Sequence, residues 1–170
     1  RRKLTLELAP PAPLVARSQY DRTPPYFICG GLVFQVLSRD FLSTWDNWWD
    51  KAPKEFLHHY YSGIRTGERQ EVVILTQVLA DEINVGYEHL YSESVVAVNG
   101  HMPRDMIDFV QRVESSRGLI EIKTSSDGVI VLDSDAARAA TQRILNRYRI
   151  ARDRSPDLDG ITPALAAVEG

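Results

Sequence analysis

Short apolar runs, several of them alternating with polar residues, recur along the chain between glycine- and proline-rich stretches. Alternation predicts a strand with one buried face, and a short continuous apolar run predicts a buried strand. The predicted strands are residues 4–8, 32–37, 71–79, 94–98, 119–123 and 129–132. The last two flank Ser-Ser-Asp-Gly, which is typical of a β-hairpin.

A helical insertion is predicted at residues 38–70, between two of these strands. Within it, Trp45, Trp48 and Trp49 are spaced i, i+3 and i+4, which predicts that they lie on one face of a helix. Pro53 suits the beginning of a second helical stretch, because proline is tolerated in the first turn of a helix.

Two further helices are predicted in the second half of the chain. The first follows Pro103 and has apolar residues on one side and charged residues on the other. Phe109, Val110 and Val113 belong to its apolar stripe. The second covers residues 134–150 and carries arginines near its C-terminal end, where the helix dipole favours cations.

The order of these elements predicts an α+β fold. The helices do not alternate regularly with strands as in βαβ units, so we expect a small, partly closed antiparallel sheet in a single domain. Residues 1–13 are predicted to form an N-terminal strand and a proline-rich connection, and residues 159–170 a flexible tail. The first residue is not methionine, which suggests a fragment of a longer protein.

Composition narrows the possible function classes. The chain has 170 residues, of which 44% are hydrophobic and 25% charged, so it can bury a core without a disulfide or metal. Its single cysteine excludes a disulfide framework and a cysteine-based zinc site. A net charge of −3 argues against a nucleic-acid-binding protein. No apolar run approaches the ~20 residues of a membrane span.

Side chains suited to catalysis or metal binding are few. The chain lacks a Gly-x-Ser-x-Gly nucleophile motif. Cys29 lies beside a Gly-Gly pair, but a lone cysteine at the end of a strand is more often an inert apolar residue than a nucleophile. Glu55 and His58 form one Glu-x-x-His pair, whereas a di-iron site needs two copies. His58 and His59 are expected to be solvated. We therefore predict no catalytic residue, no metal and no cofactor.

The Gly-Gly pair is the sharpest candidate for a binding site. Gly30 and Gly31 precede the predicted strand that begins Leu32-Val33-Phe34. A glycine loop before a strand can point successive backbone N–H groups outward to bind a carboxylate, and the strand edge can accept an extended peptide. The alternative is that the glycines only permit a tight turn. The local sequence leaves both interpretations open.

Longer segments resemble a known family. Gly31-Leu32-Val33-Phe34 resembles the Gly-Leu-Gly-Phe carboxylate-binding loop of PDZ domains, and residues 90–100 are similar to the PDZ stretch Gly-Leu-x-x-Gly-Asp-Val-Ile-x-x-Val-Asn-Gly. Several longer segments are similar to the second, C-terminal PDZ domain of Do-like (Deg/HtrA) serine proteases, of the plant type and their bacterial relatives. These segments are residues 26–34, 77–87, 129–132, 140–141, 144–145 and 153–158. The resemblance spans about residues 14–158.

The resemblance implies a PDZ-like, partly open antiparallel barrel or sandwich with capping helices. It implies a non-catalytic fragment of a trypsin-like protease, whose Gly-Asn-Ser-Gly-Gly motif is absent from this chain. The implied partners are peptide or unfolded-protein segments and the other domains and subunits of a trimer-based protease. The implied peptide-binding residues are Gly30, Gly31, Leu32, Val33, Phe34, Phe109, Val110 and Val113.

Two departures from the family leave a second function open. Val33 replaces the second glycine of the loop, and an ordinary PDZ domain lacks the insertion. Trp45, Trp48 and Trp49 are either part of the domain's own core or anchors of an interface. The alternative function is therefore a purely structural oligomerisation domain with a closed groove. The favoured compartment is a bacterial cell envelope or periplasm, and the cytoplasm is the alternative.

Overall fold

Six strands and five α-helices make up the part of the chain that the structure, a computed structural model, describes: residues 12–17 and 24–161. The strands are β1 (Tyr26–Cys29), β2 (Leu32–Val36), β3 (Val73–Val78), β4 (Glu93–Val98), β5 (Leu119–Thr124) and β6 (Val129–Asp133). The helices are α1 (Arg39–Leu42), α2 (Trp48–Lys51), α3 (Lys54–Ser62), α4 (Met106–Ser115) and α5 (Ser134–Tyr148). Short 3-10 helices cover Glu82–Asn84 and Pro156–Leu158.

The strands form one antiparallel sheet in the order β1-β2-β3-β4-β5-β6. The β3–β4 contact is short, with only Ile74 opposite Ser94 and Leu75 opposite Glu93, so the sheet is weakly joined at its centre. The predicted α+β class with an open antiparallel sheet is confirmed. The hairpin β5–β6 and helices α4 and α5 lie where the pattern predicted them.

The main core lies between the sheet and α4. Asp105 caps this helix, because its side chain accepts a hydrogen bond from Asp108 N at 2.8 Å. The helix buries Phe109, Val110 and Val113 against inward-facing residues of the strands. The apolar stripe predicted for α4 is therefore the face that closes the core.

The insertion has its own hydrophobic cluster. Phe56 of α3 and Leu42 of α1 are fully buried there and pack with Ile74 of β3. The cluster also holds Leu14 and Val15, which precede β1 in the chain. The insertion is thus tied to the sheet by β3 and by the segment before β1.

The prediction that three tryptophans share one helical face was wrong. Trp45 lies in the turn between α1 and α2, and only Trp48 and Trp49 belong to α2. The hydroxyls of Ser43 and Thr44 donate to backbone oxygens of α1, at 2.9 and 2.8 Å, which competes with continuation of the helix.

Parts of the predicted ends lie outside the described residues. This holds for the predicted strand 4–8 and for residues 162–170 of the predicted tail. From the N-terminal connection, Pro13 pairs with Ile64 in an isolated bridge. From the tail, Ile161 packs against the main core.

Candidate functional site

The candidate groove lies between β2 and α4. Along β2, Leu32 and Phe34 are fully buried in the main core, and the Phe34 ring lies 4.6 Å from that of Phe109. Val33 points to the opposite side of the sheet, where it packs with Ile144 of α5. The structure therefore brings Leu32 and Phe34 together with the predicted wall of α4, and it separates Val33 from that wall.

Strand β1, which the sequence pattern did not predict, lies along this groove. Phe27 pairs with Phe34, and Cys29 pairs with Leu32, in antiparallel register. The ring of Phe27 contacts Phe109 edge to face, with centroids 6.3 Å apart and an interplanar angle of 80°. Because β3 pairs with the other side of β2, both edges of β2 are hydrogen-bonded to this chain's own strands.

Gly30 and Gly31 form the two-residue turn that joins β1 to β2. Both have positive φ, 55° and 83°, as the preferred hairpin turns require. The N–H of Gly30 donates to Thr141 Oγ1 at 3.2 Å, and its carbonyl accepts from Asn84 Nδ2 at 2.8 Å. The carbonyl of Gly31 accepts from Leu79 N at 2.8 Å. The turn is clamped by neighbouring elements of the same chain.

A polar cluster behind this turn was missed by the sequence analysis. Asn84 is fully buried, and it accepts from Asp81 N at 3.0 Å while its amide reaches the glycine turn. Asp81 caps the 3-10 helix and pairs with Arg143 of α5 at 2.5 Å. The hydrogen bond from Arg143 is the largest cause that lowers the pKa of Asp81. The Asp-x-x-Asn spacing at 81–84, that of a capping box, was the available signal.

The outer edge of β1 is covered by residues 153–155. Ile28 N donates to Asp153 O at 2.7 Å, and Ser155 N donates to Tyr26 O at 3.0 Å. The hydroxyl of Ser155, itself buried, accepts from Tyr26 N at 3.1 Å. This segment follows α5 and adds a short pairing partner to the sheet.

Arg154, in the middle of that segment, joins three parts of the groove. Its guanidinium lies 5.1 Å from the centroid of the Phe27 ring and donates to Glu114 of α4 at 2.5 Å. It also donates to Asp153 at 2.8 Å. The hydrogen bond to Asp153, followed by that to Glu114, raises the pKa of Arg154 above its usual range. The guanidinium is held between β1 and the C-terminal end of α4.

Cys29 has the properties of an apolar core residue. It is buried in the main core, and burial raises the pKa of its thiol to about 12. The thiolate is the nucleophilic form of cysteine. At neutral pH the Cys29 thiol is therefore protonated and inert.

The part of α3 that carries the two histidines contacts the sheet. Glu55 of α3 accepts a short hydrogen bond from the hydroxyl of Ser94 in β4 and lies 3.5 Å from His59 Nε2. Within the described residues, no group of three or more His, Cys, Asp or Glu side chains is placed to hold a metal ion.

No helix in the described ranges is long and apolar enough to cross a membrane.

The three tryptophans differ in their surroundings. Trp45 packs against Phe41, with ring centroids 5.2 Å apart, and belongs to the insertion cluster. Trp48 packs against Tyr60, also at 5.2 Å. Trp49 is 58% exposed, so it is the one of the three that is most accessible to a partner.

Comparison with known proteins identifies the family. Residues 15–157 match the PDZ domain family. The chain is 32% identical to the putative protease Do-like 3, mitochondrial, of Arabidopsis thaliana, over 86% of this chain and 25% of that protein. It is 29% identical to protease Do-like 2, chloroplastic, of the same plant, over 92% of this chain and 26% of that protein. The chain thus spans about a quarter of the length of these curated relatives.

A more distant relative is the serine protease DegP homolog of Plasmodium falciparum, 26% identical over 61% of this chain and 11% of that protein. PDZ domains bind proteins by adding an extended segment to a sheet edge, which supports a protein-binding regulatory domain. The resemblance to the PDZ domains of Do-like proteases that the motifs predicted is confirmed. The chain belongs to the PDZ domain family.

Proposed function

We propose that this chain is a non-catalytic regulatory domain of a Do-like serine protease, and that its own β1 strand occupies its PDZ groove. The observation that carries this proposal is that β2 is paired on both edges, with β1 and with β3. In this closed state the domain serves assembly and positioning within the protease. It does not offer a free strand edge to passing peptides.

The energetics favour the closed state. Phe27 is 3% exposed, and burying a phenylalanine contributes about 1.5–3 kcal/mol. Strand β1 is joined to β2 by a turn of only two residues, and even a short flexible linker gives an effective concentration on the order of millimolar. A free peptide at micromolar concentration would therefore compete poorly with β1.

The wider setting in this proposal comes from the relatives. Their names describe proteases, and this chain spans about a quarter of their length. We place a trypsin-like catalytic domain elsewhere in the parent protein, and its other domains and subunits, in a trimer-based assembly, are the proposed partners. Trp49 is a proposed anchor for such contacts because its ring is exposed.

Peptide recognition by β-augmentation is the second candidate function. It is supported by β1 itself, which lies antiparallel to β2 and packs Phe27 on Phe109 as an extended ligand would. The residues proposed for this function are those named from the sequence: Gly30, Gly31, Leu32, Val33, Phe34, Phe109, Val110 and Val113. This function requires β1 to leave the groove.

A peptide titration distinguishes the two candidates. Fluorescein-labelled peptides with varied C-termini are titrated against the chain, and the backbone amide shifts of β2 are followed by NMR. The closed groove predicts no saturable binding up to about 100 μM. The Phe27→Ala variant, which loosens β1, should gain binding, whereas Phe41→Ala, which removes a ring from the insertion, should not. Saturable binding to the unsubstituted chain, with shifts centred on Val33 and Phe34, would refute the closed groove.

A further inference from the structure

The closed groove has one charged contact that spans all its parts. Arg154 stands in the segment 153–155, which covers the outer edge of β1. Its guanidinium pairs with Glu114 on α4, the groove wall, and lies over the ring of Phe27, the residue of β1 that fills the groove. The backbone bonds that Asp153 and Ser155 make to the sheet, by contrast, reach only β1, and the Ser155 carbonyl also accepts from Leu158 N at 3.0 Å.

We infer that Arg154 is a latch that holds β1 in the groove, so that its ion pair with Glu114 controls whether the edge of β2 can be reached. This inference rests on the proposed closed groove and names its regulation. While the latch is closed, segment 153–155 is pinned to α4 and β1 is held between that segment and β2. When it opens, the outer edge of β1 loses its cover.

The burial of the ion pair suits this role. The Arg154 and Glu114 side chains are only 17% and 22% exposed, so water and salt screen the pair less than a surface pair. Hydrogen bonds between charged groups are about twice as strong as neutral ones. Loss of Arg154 takes this cation away from the largely buried Glu114 carboxylate, whereas loss of Glu114 leaves Arg154 paired with Asp153.

The latch acts locally because the chain is anchored on both sides of it. Leu158, three residues after Ser155, is buried in the main core, and α5 packs Ile144 and Leu145 beneath the sheet. These contacts do not involve Arg154. Loss of the latch should therefore loosen residues 153–155 and β1 without unfolding the sheet.

The test compares matched variants. Arg154→Gln and Glu114→Gln each remove the charge pair; Glu114→Gln does so with almost no change of size, whereas Arg154→Gln also shortens the side chain. Arg152→Gln is the control, because Arg152 lies in the same part of the chain but pairs with Asp159 at the surface. Hydrogen exchange of the Ile28 amide, which donates to Asp153, should become about tenfold faster or more in the two latch variants and remain unchanged in the control. In the two latch variants, the amides of β5 and β6 should exchange as fast as they do in the unsubstituted chain.

A second readout uses a peptide that copies the strand filling the groove. This labelled probe has the sequence of residues 24–29, with serine in place of Cys29. The latch variants should bind it about tenfold or more tightly than the unsubstituted chain. Adding Glu114→Gln to Arg154→Gln should change the affinity little, because Arg154→Gln has already broken the ion pair with Glu114.

The outcomes separate this inference from the function on which it rests. If Ile28 exchange and peptide affinity in Arg154→Gln equal those of Arg152→Gln, the latch is refuted while the closed groove stands. Equal acceleration of exchange in β1 and in β5–β6 would also refute it, because Arg154 would then stabilise the whole fold. Tight binding of the probe to the unsubstituted chain would instead refute the closed groove.

Discussion

Gly31 and Gly100 offer a test of how tightly the turn before β2 is clamped. Each is the second residue of a two-residue turn, and their φ angles are nearly equal, 83° and 80°. A Cβ at Gly100 would meet no atom within 4 Å, whereas one at Gly31 would lie 2.4 Å from Asn84 Nδ2 and 2.5 Å from Leu79 O. Alanine therefore adds the same backbone strain at both sites but a steric clash only at Gly31.

The expected magnitudes follow from these two terms. A left-handed backbone costs an alanine about 1–2 kcal/mol, which is the expected loss for Gly100→Ala. Overpacking adds about 1–3 kcal/mol at Gly31, because the Leu79 carbonyl is backbone and cannot rotate away. For a chain of this size each kcal/mol lowers the melting temperature by about 2–4 °C.

Urea unfolding of both variants measures the difference in the free energy of unfolding. We expect Gly31→Ala to be the less stable variant, and hydrogen exchange of its β1 amides to be the more accelerated. Equal losses of stability at the two sites would refute the argument, because the clash with Asn84 and Leu79 would then contribute nothing. The turn would in that case be loose enough to make room for a side chain.

Two further predictions concern the insertion. Desolvation is the largest single effect on the pKa of Glu55 and raises it. Hydrogen bonds from His59, Ser125 and Ser94 together outweigh desolvation and lower the pKa to about 2. A carboxyl with a depressed pKa stabilises the fold above its unfolded value near 4.5 and loses this contribution as pH falls toward 2. Glu55→Gln should therefore lower the free energy of unfolding by about 1–2 kcal/mol at pH 7, a value reduced for solvent screening because the Glu55 side chain is 36% exposed. Near pH 2.5 the loss should be smaller. A loss of stability that does not depend on pH would contradict this prediction. Trp49→Ala should weaken any self-association seen by sedimentation while changing stability by under about 0.5 kcal/mol, and Tyr91→Ala, also a highly exposed aromatic, should leave association unchanged.

Several parts of the fold follow directly from local sequence. The apolar stripe of α4 follows from apolar residues spaced three and four apart, and the strands of the β5–β6 hairpin from apolar residues spaced two apart. Such spacings reveal the buried face of an element before it is known what the face packs against. The prediction that the three tryptophans share one helical face failed because of hydrogen bonds that the spacing does not reveal. The spacing of Trp45, Trp48 and Trp49 fits a helix, but hydroxyls between α1 and α2 bond back to the backbone and end the first helix.

The site was harder to predict than the fold. Among the residues predicted for the groove walls, Phe34 and Phe109 lie in contact, whereas Val33 packs on the other side of the sheet. Strand β1 was missed, although Tyr-Phe-Ile-Cys between a Pro-Pro and a Gly-Gly pair has the composition of a short strand. The strand that we propose to fill the groove was therefore absent from the predicted site.

The sequence by itself determined the family, the fold class and the positions of most strands and helices. These properties reside in motifs and in spacings within a few residues, so a linear pattern contains them. Only the tertiary structure decided that residues 153–155 cover the outer edge of β1. The Tyr26–Ser155 hydrogen bond joins residues 129 positions apart, and no local pattern encodes such a contact. Which segment covers the outer edge of β1 is set by long-range pairing of this kind, because any segment of suitable shape can satisfy the backbone groups of a strand edge.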